Sequence, residues 1–131
     1  MGFVISKKQA YPWPVTVKTP DPARPGKWQS QTFTATFRRL PPLEVQEQLA
    51  RLTGRDLSDP DGMSAEERFS RESEFLDEVL LGWDGITDDE GVPVPCTEES
   101  RAAVLDIIEV RRAVFDAFFA SALGKKADAK N

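Results

Sequence analysis

QTFTATFRRLPPLEVQEQL, Gln31 to Leu49, changes its period midway, and that change decides the fold class. From Gln31 to Arg38, Phe33, Ala35 and Phe37 alternate with Thr32, Thr34, Thr36 and Arg38. A period of two puts the apolar side chains on one side of a strand and the polar ones on the other, which predicts a half-buried strand with one wet face. From Pro42 the spacing becomes helical: Leu43, Val45, Leu49 and Leu52 form one stripe, the proline suits a first turn, and Gly54 stops the run. A helix over 42–53 follows a strand, so the expected class is α+β.

Upstream, Val15-Thr16-Val17 is β-branched throughout, and Asp21-Pro22-Ala23-Arg24-Pro25-Gly26 reads as a turn. Together with Gln31–Arg38 they predict an N-terminal β-hairpin of two or three short strands. Pro12-Trp13-Pro14 interrupts the extended pattern, and the apolar run Phe3-Val4-Ile5 is expected to start a short strand. Met1 to Ser6 also fits a loose myristoylation pattern, but the strand is the plainer reading.

Downstream, Arg55 to Met63, with three aspartates, Pro60 and Gly62, should be a loop. Ser64-Ala65-Glu66-Glu67 is a capping box, so a helix starts at Ala65. Phe69, Leu76, Leu80 and Trp83, widened by Phe75 and Val79, carry its stripe to about Leu81 or Gly82. Thr97 caps a further helical region whose apolar positions, Val104, Ile107, Ile108, Phe115, Phe118, Phe119 and Leu123, run to Gly124 with a break near Val110 to Arg112. This gives three or four helices in a single domain, 1–124, β-rich over 1–40 and helical over 41–124. Lys125 to Asn131 is expected to be a disordered polar tail.

A chain of 131 residues with 40% hydrophobic and 30% charged residues suits one soluble core. No apolar run approaches a membrane span, and the lone Cys96 excludes an intramolecular disulfide, so a cytosolic, membrane-free protein is expected. Residues 1–40 hold seven Lys/Arg against Asp21, a charge of +6, while the remainder holds 10 basic against 21 acidic residues, −11. An acidic helical body argues against nucleic acid as a partner, and the basic residues of the first 40 positions are not interleaved with aromatics in an RNA-binding pattern.

The absence of histidine removes triads, most zinc sites and the commonest general base. Asp88-Asp89-Glu90 on a glycine-bearing loop reads as a solvated acidic turn rather than a catalytic carboxylate pair. Calcium fails on spacing: aligning Asp59, Asp61 and Gly62 to an EF-hand loop places Leu57 and Arg68 at ligand positions. Cys96 lacks a histidine partner and reads as packing. No catalytic residue, metal site or cofactor is expected, and the protein is read as a non-enzyme.

Two features remain as candidate partner-binding positions. One is the stretch Gly82 to Thr97, GWDGITDDEGVPVPCT, with Trp83, Asp84, Gly85, Asp88, Asp89 and Gly91. Trp83 should end the helix begun at Ala65 and pack on the following helix, while Gly85 and Gly91 permit turns. The other is the aromatic stripe Phe115, Phe118, Phe119, which is core by default with a partner groove as the alternative.

Pro12 to Val15, Phe33-Thr34-Ala35-Thr36-Phe37-Arg38, Val79-Leu80-Leu81-Gly82-Trp83-Asp84-Gly85-Ile86 and Asp89-Glu90-Gly91-Val92-Pro93-Val94-Pro95-Cys96-Thr97-Glu98-Glu99, in that order, resemble a tail assembly chaperone of long-tailed bacteriophages or prophages. Cys96 departs from the pattern, where a larger apolar residue is more usual. The resemblance implies a non-catalytic protein in the cytoplasm of a bacterial host. Such a protein binds the tape measure protein, keeps it soluble and helps recruit tail tube subunits, so the major tail protein is a second implied partner. It also implies a longer form made by ribosomal frameshifting, for which Gly124-Lys125-Lys126 is the candidate position. A virion structural protein of the tail or neck, a small adaptor and a small enzyme are the alternatives. Amphipathic helices of this kind can bury their faces within one chain or between copies, so a homo-oligomer stays open.

Overall fold

A computed structural model describes residues 2–5, 7–52 and 64–124. Two long strands, β1 (Ala10–Pro20) and β2 (Trp28–Arg38), pair antiparallel from Ala10 opposite Arg38 to Pro20 opposite Trp28. The alternation in β2 has the expected consequence: Phe33, Ala35 and Phe37 are buried, and Val15 and Val17 of β1 are buried with them. On the wet face the Thr16 and Thr32 hydroxyls meet at 3.2 Å. Pro12 and Pro14 are tolerated because β1 is the edge of the sheet, where a missing N–H breaks no ladder. The turn is held by Asp21, whose carboxylate accepts from the Ala23 N–H and the Arg24 Nε, both at 2.9 Å, and by Gly26 at φ 82°.

Phe3-Val4-Ile5 does not form the expected strand; the three residues are 90%, 82% and 81% exposed. The reason is register. Ala10 already faces Arg38, the Arg39 N–H donates to the Gln9 carbonyl at 2.7 Å, and then Pro41 and Pro42 turn the chain into a helix, so β2 offers nothing further to pair with.

Four helices follow: α1 (Pro42–Leu52), α2 (Ala65–Val79), α3 (Glu98–Leu105) and α4 (Ile108–Ala122). Both anticipated caps are present. The Ser64 hydroxyl accepts from the Glu67 N–H at 3.1 Å, and Thr97 and Ser100 cap α3 reciprocally. The loop expected over Arg55–Met63 and the tail over Lys125–Asn131 lie outside the described residues.

The expectation that α2 runs to Leu81 or Gly82 is corrected. The helix ends at Val79, and β3 (Leu80–Asp84) pairs antiparallel with β2, Ala35 opposite Trp83 and Thr34 opposite Asp84, with a bulge at Thr36/Phe37. Without β3, the second edge of β2 would leave a row of backbone donors and acceptors unpaired. That tertiary demand overrides a local spacing that is equally good helix. The strand also breaks the simple division into a β-rich first 40 residues and a helical remainder.

A second correction concerns the last helical region. The break falls at Asp106-Ile107, not at Val110 to Arg112, and the Arg111 guanidinium donates to the Leu105 carbonyl there at 3.0 Å, satisfying an acceptor at the end of α3.

The core lies between the dry face of the sheet and the helices α2 and α4. Phe118 meets Phe37 edge-on at 5.4 Å and Phe75 at 5.3 Å, and Phe119 stacks on Phe75 at 5.4 Å. At the far end of α4 the Tyr11 and Ser121 hydroxyls share a hydrogen bond of 2.6 Å, fixing the helix along β1. Among the described residues no helix is long and apolar enough to cross a membrane.

Candidate functional site

Gly82 to Thr97 is a built arm rather than an open acidic loop. Its two limbs return on each other: Thr87 bridges to Pro93, the Val94 N–H donates to the Ile86 carbonyl at 2.9 Å, and the Asp88 N–H to the Val92 carbonyl at 2.9 Å. The Asp88 carboxylate is consumed within the tip, accepting from the N–H groups of Glu90 at 2.8 Å and Val92 at 3.0 Å. Gly91, at φ 80°, takes a backbone conformation that a side chain would strain. Gly85 does the same at φ 97°, where the chain leaves β3.

Trp83 therefore has a different job from the one expected. It sits on a strand and not at a helix end, half-buried at the margin of the core, and its indole N–H donates to the Val94 carbonyl at 2.7 Å. One aromatic ring thus bolts the returning limb of the arm to the sheet. Asp84 and Asp89 are exposed and free of such internal work among the described hydrogen bonds.

The aromatic stripe divides. Phe118 and Phe119 are 1% and 5% exposed and belong to the core, whereas Phe115 is only partly buried, its ring 4.9 Å from that of Phe119. The arm and the stripe stay separate, since one projects from β3 and the other lies between α4 and α2.

Arg111 is the residue that sequence reasoning missed. It is 6% exposed, and all three guanidinium nitrogens donate: Nε to Glu72 of α2 at 2.5 Å, Nη1 to the Leu105 carbonyl, and Nη2 to the Phe69 carbonyl at 3.1 Å and the Ser73 hydroxyl. The Phe69 ring lies 4.0 Å from the guanidinium carbon, a cation–π contact. The available signal was positional: Arg111 stands on the apolar stripe, between Ile107/Ile108 and Val114/Phe115 at helical spacing. A charge on a core face implies a dedicated partner.

Two concave apolar surfaces result. The first, about 420 Å³, lies over Arg111 between α2 and α3, and Phe69, Ala102, Leu105 and Asp106 are among its walls. Phe69 in its wall is 50% exposed, and Ile107 and Ile108 at the start of α4 are 47% and 61% exposed. The second, about 620 Å³, lies where β1, α1 and the end of α4 meet, walled by Tyr11, Trp13, Leu40, Val45 and Leu123 with Arg39 at its rim over the Tyr11 ring.

Burial pushes the Cys96 thiol up, against a smaller opposing pull from Arg101, which makes it a poor nucleophile. Burial likewise raises Asp116, with Arg112 opposing. Among the described residues no group of three His, Cys, Asp or Glu side chains could hold a metal ion.

Comparison with protein-family models, with curated proteins and with solved structures finds no match.

Proposed function

We propose that the protein is a non-catalytic binding protein of the tail assembly chaperone kind, which holds apolar segments of a tape measure protein in the cytoplasm of a bacterial host and helps bring major tail protein subunits to it. The run from Val79 to Thr97 supports the reading on the side of sequence. The observation that carries it is the cleft at the junction of β1, α1 and α4. Its walls of Tyr11, Trp13, Leu40, Val45 and Leu123 suit the apolar side chains of an amphipathic helix, the element a long tape measure protein would present. Aromatic anchors such as Tyr and Trp are the side chains that dominate recognition of this type.

The reading is tested by capturing the tagged protein from host cells in which the encoding phage or prophage is induced, with bound proteins identified by mass spectrometry. The expected result is a very long, helix-rich tape measure protein, lost when Leu123→Asp blocks the cleft. Recovery within finished particles, or of no phage-encoded protein, would overturn it.

A further inference from the structure

We propose that Pro12, Pro14 and Pro20 guard the outer edge of β1, so that the sheet takes on no further strand there, whether from a second copy or from another extended chain. The observation that carries this is parity. In an antiparallel pair, successive residues of one strand turn their backbone groups alternately toward the partner and away from it. Register places Pro12 opposite Thr36, Pro14 opposite Thr34 and Pro20 opposite Trp28, so all the prolines of the strand share one parity. A proline has no N–H to give to a ladder, so that parity is the one turned away from β2. Tyr11, Trp13, Val15, Val17 and Thr19, on the other parity, keep every donor that β2 needs.

The edge would otherwise be a good template. β1 is 11 residues long, and Pro12, Pro14, Lys18 and Pro20 stand exposed along it. A long edge with an open row of N–H and C=O groups pairs readily with another chain. Of the outward positions, Ala10, Pro12, Pro14, Thr16, Lys18 and Pro20, half carry no N–H, and no more than two donors follow in succession. Lys18 sets a charge at that remaining pair, a second device of the same kind. Strand formation does not select these prolines, since proline is among the residues least favoured in strands and the inward positions hold none.

The opposite edge is managed by length: β3 spans 5 residues, and Arg101 donates to the Leu80 carbonyl at its start at 3.3 Å. Whatever the chain binds, β1 then meets it through side chains such as Tyr11 and Trp13 and not by offering its backbone. The inference stands whether or not the cleft beside them holds a tape measure segment.

Sedimentation equilibrium of the full chain tests it, comparing the wild type with Pro12→Thr/Pro14→Thr, which restores two outward donors on a residue suited to strands. Circular dichroism checks that the fold is kept. The double variant is expected to self-associate about tenfold or more tightly than the wild type, through edges that can now pair. The N–H groups introduced at positions 12 and 14 should be protected from exchange in concentrated samples and exchange fast on dilution. Pro12→Lys/Pro14→Lys restores the same donors but sets like charges opposite one another when two β1 edges pair about this segment, and should sediment as the wild type does. A threonine variant that sediments like the wild type, association that leaves the amides at positions 12 and 14 unprotected, or a lysine variant that associates as tightly as the threonine one would each overturn the proposal.

Discussion

The two halves of α4 are held by different physics. From Val114 onward the helix presents mainly apolar side chains to an apolar face, Phe118 and Phe119 close on Phe37 and Phe75, and the Tyr11–Ser121 hydrogen bond lies at its end. At the other end a single buried guanidinium ties α2, α3 and α4 together through directed bonds to Glu72, Ser73 and two backbone carbonyls. Apolar burial is strong and forgiving of geometry, whereas an ion pair under cover is specific and intolerant of losing one partner. The first kind of packing closes a surface; the second leaves Phe69 half exposed beside the guanidinium it covers.

The largest effect should come from the dry half. Phe118→Ala removes a ring in contact with Phe37, Phe75 and Phe119 and is expected to cost about 3–5 kcal/mol in denaturant unfolding. A cost near 1 kcal/mol would mean that the aromatic cluster is loosely packed, and the contrast would fail.

Next comes the polar half. Arg111→Met should cost about 2–3 kcal/mol, below the full penalty for breaking a buried pair because Glu72, 27% exposed at its side chain, can rehydrate. Adding Glu72→Leu should return part of that loss, because the stranded carboxylate goes with it. Two additive losses in the cycle would show that the pair is not coupled.

Trp83→Phe keeps an aromatic ring but removes the indole donor to Val94 and part of the surface packed against the core. About 1–3 kcal/mol is expected, one hydrogen bond plus the lost contact. The arm, not the core, should feel it, seen as faster amide exchange at Val92 and Val94.

The smallest effect is electrostatic. The Ala23 N–H and the Arg24 guanidinium hold the Asp21 carboxyl below its usual value. A lowered carboxyl pKa contributes stability above the unfolded-state value and loses it as pH falls through the folded one. Asp21→Asn should therefore destabilise slightly at neutral pH, with the difference from wild type shrinking in acid; a difference that grew in acid would reverse the assignment.

The same contrast explains what could be read in advance. The hairpin was legible because Phe33, Ala35 and Phe37 alternate with threonines, and both helix starts were legible because Ser64 and Thr97 advertise their caps locally. β3 was not. Leu80 and Trp83 continue the helical spacing of α2, and only the open edge of β2, a tertiary fact, turns them into a strand. Arg111 and the break at Asp106-Ile107 were hidden for a related reason: periodicity registers an apolar stripe but not the partner that lets a charge stand on it. Among the candidate site residues, Trp83 and Asp88 were singled out as partner-binding positions; that they bolt and cap an arm needed the returning limb to be seen.

The measurement that bears most directly on the division of α4 is native-state hydrogen exchange of the wild type and Arg111→Met. The amides of residues 114–119 should exchange only through global unfolding in both proteins, while α3, the first turn of α4 and the Phe69–Ser73 segment should lose protection selectively in the variant. A uniform loss of protection along the whole of α4 would contradict the account, since it would make Arg111 one more contributor to a single undivided core.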